Sequence, residues 1–312
     1  MCAVVLFRDL SITPVREGTV AMPNQVMPVQ GTMHNLRHVG ALRKTIDHWR
    51  AQAQTIALVP TMGNLHAGHY ALLKLAQRHA SRVVVSIFVN PIQFGLNEDF
   101  DRYPRSLMQD QKGLAEAGCD LLFAPDVATM YPLGTSQRVN VHPSRLGQIL
   151  EGVHRPGFFD GVATVVSKLF HLVQPDLAVF GQKDFQQFKV IEHLVQDLFW
   201  PVKLLMAPIQ RAVDGLALSS RNQCLKPEER ALAPKMYATL LHMREHITRQ
   251  PSWSQVEKEA LAALECAGFV PDYAVIRRAQ DLCQPAPHQR EGLVALIAAR
   301  LGSTRLIDNL IL

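Results

Sequence analysis

Residues 55–69 read TIALVPTMGNLHAGH. The first six, Thr55–Pro60, form a short apolar run of the kind that a strand buried on both faces needs. Gly63 then permits a tight turn or a close backbone approach to a ligand. A helix is expected to begin near Ala67. The turn therefore gathers free backbone N–H groups and the positive end of a helix dipole at a strand's carboxyl end. His66 and His69 are three apart, so they share a face of that helix's first turn. Two imidazoles so placed can hold a phosphate and stabilise charge developing on it. The same pair also reads as surface or core filler. It reads too as two metal ligands, although no third ligand is evident in the sequence.

Moving outward, the pattern alternates. Leu36, Val39, Leu42, Ile46 and Trp49 repeat at helical spacing before the first strand. After it, helices are expected at Ala67–His79, Ser106–Ala117, Gly161–Val173 and Asp184–Leu198. Strands are expected at Val83–Val89, Asp120–Ala124, Leu177–Phe180 and Val202–Met206. Such alternation implies an α/β, doubly wound parallel sheet of Rossmann-like type, covered by helices on both faces. Beyond residue 208 the pattern changes. One long helix over Pro227–Arg249, another over Ser254–Ala267, and strands at Tyr273–Ile276, Leu293–Ala298 and Arg305–Leu312 indicate a smaller α+β domain at 209–312. Residues 1–34 mix Pro, Gly and polar residues without a period and read as a loose tail, in which Met22, Met27 and Met33 are alternative starts. The main domain is expected at 35–208.

Composition excludes several classes. Of 312 residues 48% are hydrophobic and 19% charged, which suits a soluble globular chain rather than a disordered one. The net charge is only +5, and basic residues run no longer than pairs such as Arg43–Lys44 and Arg277–Arg278, so a nucleic-acid partner is not indicated. The five cysteines are scattered and odd in number, which fits reduced thiols in cytoplasm better than a disulfide framework. No apolar run approaches the roughly 18 residues of a membrane helix, and no basic segment precedes the apolar stretch near Met1, as a signal peptide would require.

Three further motifs carry chemistry. FVNPIQF (88–94) follows a strand, placing Asn90 and Gln93 at its carboxyl end, where doubly wound sheets bind ligands. Their amides suit hydroxyls and carboxylates, although the segment also reads as a polar turn. GQKDFQQ (181–187) follows another strand. There Lys183 suits triphosphate oxygens, Asp184 suits a ribose or a helix cap, and Gln187 lies on the first helical turn. Read alone, that segment is an ordinary solvated helix start. DGLALSSRN (214–222) offers Ser219, Ser220 and the guanidinium of Arg221 for phosphates, or else a simple turn cluster.

The turn at 60–69 resembles the HIGH signature of the nucleotidylyl-transferase superfamily. With FVNPIQF, YPR (103–105), RPGFFDGVATVVSK (155–168), GQKDFQQ, DGLALSSRN and TRLIDN (304–309), the chain from about residue 36 onward resembles the pantoate–β-alanine ligase family. The resemblance implies an ATP-dependent condensation of pantoate with β-alanine through a pantoyl adenylate, with Mg²⁺ assisting and a homodimer as the assembly. It implies catalytic roles for His66, His69, Lys183 and Arg221. ATP would lie along Met62, Gly63, Asn64, Leu65, Ala67, Gly68, Gly181, Gln182, Asp184, Gln210, Leu218, Ser219 and Ser220, with those catalytic residues. Pantoate would meet Asn90, Gln93 and Gln187, β-alanine would meet Gln93, and Asp110 would contact the metal. If the strand order is the superfamily's, the strands before His66 and Lys183 are neighbours. The chain departs from the family at Phe158, where RPGHF is usual, and at Asn64, Ala67, Tyr70 and Cys224. Two alternatives stay open: another nucleotidylyl transferase, or a catalytically impaired nucleotide-binding homologue.

Overall fold

The structure, a computed structural model, describes residues 33–95, 100, 106–247 and 252–312. The YPR motif, the tail to residue 32 and the end of the expected long helix fall outside the described residues. The elements in chain order are β1 (His34–Leu36), α1 (Val39–Ala51), β2 (Ile56–Thr61), α2 (Ala67–Gln77), β3 (Arg82–Ile87), α3 (Leu107–Glu116), β4 (Leu121–Phe123), α4 (Val127–Met130) and α5 (Glu151–His154). There follow α6 (Phe158–Val173), β5 (Leu177–Gly181), α7 (Phe185–Asp197), β6 (Lys203–Ala207), α8 (Pro227–Leu232), α9 (Lys235–His246), α10 (Trp253–Cys266), β7 (Val270–Arg278), β8 (Leu293–Leu301) and β9 (Thr304–Ile311).

Six parallel strands run in the order β1-β4-β3-β2-β5-β6. Ile56, Ala57, Leu58 and Val59 of β2 are all buried, as are Val83, Val84 and Val85 of β3 and Leu121, Leu122 and Phe123 of β4. Strands covered on both faces have no polar side to alternate with, which is why they read as continuous apolar runs. Leu42, Ile46 and Trp49 of α1 join Phe159, Val162, Val166 and Phe170 of α6 in one core. Leu73 and Ala76 of α2 pack with Leu114 of α3 in another. Aspartates at the strands' amino ends fix the register. Asp176 accepts the N–H of Ile56 and pairs with Arg50, and Asp120 accepts the N–H of Val83 and pairs with Arg82.

Strand order reverses between β2 and β5: β3 and β4 lie to one side, β6 to the other. A crevice outside the strands' carboxyl ends is expected at that reversal. Past β6, the antiparallel sheet β7-β8-β9 packs with α9 and α10 around Met236, Leu240, Val256, Leu264, Ile276 and Ile297.

Three expectations are corrected. β1 is a strand where the sequence suggested tail and helix start, and the helix begins only at Val39. The long helix over 227–249 is two, because Pro234 caps α9 after α8 ends at Leu232. The helix expected from Gly161 starts at Phe158, following Gly157 in the left-handed region at φ 79°.

Candidate active site

The turn after β2 is fixed before any ligand arrives. Gly63 and Asn64 take positive φ, 83° and 51°. The buried carboxylate of Asp110 accepts the N–H of Asn64 and of Leu65, each at 2.9 Å, and the hydroxyl of Ser106 at 3.2 Å. Asp110, expected as a metal contact, thus stands directly behind the turn and is absent from the cavity lining.

The two imidazoles close a reciprocal cap at the start of α2. His66 Nδ1 accepts the N–H of Gly68 at 3.1 Å, and His69 Nδ1 accepts the N–H of His66 at 3.2 Å. A backbone N–H can only donate, so each Nδ1 is the acceptor nitrogen and each ring carries its proton on Nε2. The ring centroids stand 4.2 Å apart. Burial, together with the nearby charge of Lys183, lowers the His66 pKa to about 4. Burial, reinforced by His66 and Lys183, lowers that of His69 to about 3. Near neutral pH both are therefore uncharged N–H donors at a helix N-terminus. Gly68 is required here: a Cβ would stand 2.8 Å from the His66 ring.

Lys183 enters from the carboxyl end of β5, and β5 is hydrogen-bonded to β2. Its loop is clamped from the far sheet. Asn309 on β9 donates from Nδ2 to the carbonyls of Gln182 and Lys183, both at 2.9 Å, and accepts from Gln182 Nε2 at 3.2 Å. Asp308 beside it accepts a fork of two bonds from Arg211, at 2.6 and 2.9 Å. The TRLIDN ending thus positions the lysine loop, a role that sequence reasoning missed. The motif itself was the signal, but its partner lies 126 residues away.

Asn90, expected to meet pantoate, sits deeper than Gln93. It is 1% exposed, and both ends of its amide are used. Nδ2 donates to Gln93 Oε1 at 2.7 Å and to the Gly161 carbonyl at 3.0 Å, while Oδ1 accepts from Tyr131 Oη at 2.7 Å. It lies behind the wall, and it leaves Gln93, which lines the crevice, with its NH₂ as the end available to a ligand. Gly161 lets α6 approach this turn, since a Cβ would sit 2.7 Å from the Ile92 carbonyl.

The opposite wall is the stretch Leu218–Asn222 with Gln210. Ser220 donates to the carbonyl of Asn64 at 3.3 Å, and Asn64 Nδ2 donates to Gln223 Oε1 at 3.3 Å. This wall therefore touches the imidazole turn directly. Together the two walls enclose a cavity of about 1070 Å³, lined also by Met62, Gly181, Gln182, Asp184 and Gln187. That is room for a nucleotide and a small acid together. Gly63, Asn64, Leu65 and Ala67 shape the turn without lining the cavity.

The sequence pattern describing the family Pantoate-beta-alanine ligase matches residues 34–311. The chain belongs to the pantoate–β-alanine ligase family. It is 52% identical over 278 residues to the pantothenate synthetase of Xanthomonas euvesicatoria pv. vesicatoria, covering 89% of this chain and 99% of that one. It is 51% identical, with the same coverage, to that of Stenotrophomonas maltophilia strain K279a. Among solved structures, the pantothenate synthetase of Thermus thermophilus superposes with a TM-score of 0.83 at 45% identity, over 89% of this chain and 99% of that one. The pantoate-beta-alanine ligase of Francisella tularensis, complexed with beta-gamma ATP and beta-alanine, gives 0.75 at 35% identity, over 89% and 97%.

Of the departures expected from the family resemblance, Phe158 and Cys224 reach the cavity. Phe158 lines the crevice beside His154, and the Arg155 guanidinium stands 3.7 Å over its ring. His154 turns toward the C-terminal layer, with Nδ1 3.8 Å from Asp272. That layer is anchored by Arg305, which pairs with Glu151 at 2.6 and 2.8 Å and with Asp272 at 2.6 Å, while Tyr273 donates to Glu151 at 2.6 Å. Burial opposes ionisation of Glu151, but the bonds and charge of Arg305 outweigh it and hold the carboxyl below its usual value. Phe158 gives Arg155 a stacked, apolar support at this wall.

Proposed function

We propose that the chain condenses pantoate with β-alanine at the expense of ATP, giving pantothenate, AMP and diphosphate. The observation that carries this reading is the pair of Nε2–H donors at the N-terminus of α2, with Lys183 beside them at the point where strand order reverses. In the first step a pantoate carboxylate oxygen attacks the α-phosphorus. The bond from that phosphorus to the bridging oxygen breaks, and diphosphate leaves with the electron pair. The equatorial oxygens gain charge as this happens, and fixed donors stabilise it most where no reorganisation is needed. His66 and His69 supply such donors, and Lys183, Ser219, Ser220 and Arg221 supply the rest. In the second step the amine of β-alanine attacks the acyl carbon, and AMP leaves as the C–O bond breaks. Neither imidazole has a lone pair facing the crevice, so the ammonium proton is lost to water rather than to them. Gln93 offers its NH₂ to the acid, and Gln187 lines the same space.

Mg²⁺ fits as a partner of the triphosphate more than of the protein. Among the described residues, the crevice carboxylates Glu151 and Asp308 are tied to arginines, which leaves Asp184 in the lining, with Asp110 behind the imidazole turn, as the side chains to share it. When bound, the ion would neutralise phosphate charge. Residues 209–312 act as a lid domain over the nucleotide in this reading, and a homodimer in the cytoplasm is part of it, on family grounds. Pantoate-dependent exchange of labelled diphosphate into ATP, followed by release of free AMP on adding β-alanine, tests the function. Exchange without pantoate, or AMP retained covalently in the product, would refute it.

A further inference from the structure

Helix α9 carries a second pair of histidines, absent from the crevice's lining. His242 and His246 are one helical turn apart, so their rings lie on one face. The rings are stacked, with centroids 3.8 Å apart and planes inclined by 29°. The Nδ1 atoms of both rings are buried and make no hydrogen bond among the described residues. Buried polar nitrogens are nearly always satisfied, so two adjacent exceptions call for an explanation. Opposite them on α10 stands Glu259, whose Oε2 lies 3.5 Å from His246 Nδ1. Its Oε1 accepts from Gln255 Nε2 at 2.9 Å, which orients the carboxylate. One nitrogen from each histidine and one carboxylate oxygen lie within 4.8 Å of one another.

We propose that His242, His246 and Glu259 form a binding site for a divalent transition-metal ion of the zinc class. The donor set decides the class. Two imidazole nitrogens and one carboxylate oxygen suit Zn²⁺, with Co²⁺ as its spectroscopic substitute, and not Mg²⁺, which takes oxygen ligands. Bonds of about 2.1 Å in a tetrahedral arrangement put ligand atoms roughly 3.4 Å apart, so side-chain torsion has to close the present span around the ion. The fourth position is open to water. The ligands come from two helices, so the ion would staple α9 to α10 and stabilise the C-terminal layer, since an ion bound only by the folded state raises its stability.

The test uses the full chain, stripped with chelator and free of nucleotide, titrated with Co²⁺ and then Zn²⁺. The expected result is one equivalent bound, with the visible absorption of four-coordinate Co²⁺ displaced by Zn²⁺, and a rise in Tm. His242→Ala or His246→Ala should abolish that equivalent and the Tm rise. Glu259→Gln, the variant least disturbing to packing, should weaken it about tenfold or more. Because His66, His69 and the exposed thiols of Cys224 and Cys266 are competing ligands, His69→Ala and the Cys224→Ser, Cys266→Ser double variant should keep the equivalent. Absence of binding, which would make the cluster an ion pair only, overturns the proposal. So does an equivalent that survives His242→Ala or disappears with His69→Ala or the cysteine variant.

Discussion

The two walls of the crevice are built to different standards of rigidity. On the imidazole wall the turn N–H groups and the ring Nδ1 atoms have assigned partners, and the anchor, Asp110, is buried. On the serine wall the residues form a short 3-10 turn with none buried, and its bonds to Asn64 are long, at 3.3 Å. In the proposed reaction the first wall meets the transition state, and the second opens for substrate and closes behind it, keeping water from a hydrolysable intermediate.

The largest effect should come from breaking the rigid wall. His69→Ala is expected to cut turnover by about 100-fold or more, the scale for loss of a fixed donor, while the KM for pantoate stays close to wild type. Equal turnover in steady-state assays would refute the assignment. On the lighter wall, Arg221→Ala should reduce kcat/KM for ATP by about ten- to 100-fold, as for a charge-assisted hydrogen bond. Because this wall is not preorganised, much of the loss should fall on KM, and a pure kcat effect would contradict the contrast between the walls.

The walls also separate under pH. The imidazoles have pKa values lowered to about 4 and 3 in the folded chain, against about 6.5 when unfolded. The unfolded state therefore binds more protons below pH 6.5, and stability falls as pH drops from there toward 4. His69→Asn should flatten the decline in Tm between pH 7 and 5 relative to wild type, whereas Arg221→Ala should leave its slope unchanged. Thermal melts of the ligand-free chain check this. The smallest effect is expected from Phe158→His. It exchanges the stacking of Arg155 for the family's usual residue, costs about 1 kcal/mol or less, and should leave turnover nearly unchanged. Loss of folded protein would count against the placement of that segment.

The sheet was legible because its strands are buried on both faces, so TIALVP and VVVSIFV announce themselves without alternation. β1 was not, since the three residues His34–Leu36 carry no pattern and become a strand only by pairing with β4. The imidazole turn was legible from spacing, but the direction of each ring was not, because it depends on which backbone N–H reaches Nδ1. The placement of Asn90 was hidden for a similar reason. Its amide chemistry suits a ligand, but Tyr131 and Gly161, 41 and 71 residues away, claim it first. The break at Pro234 was present in the letters and lost to the apolar rhythm around it.

The backbone cap on His66 and His69 bears finally on how products depart. Donors locked as uncharged N–H groups grip a spread of developing negative charge well, yet hold a finished, fully hydratable anion only weakly. Diphosphate, the more highly charged fragment, can then leave for solvent while the acyl adenylate stays behind to meet the amine.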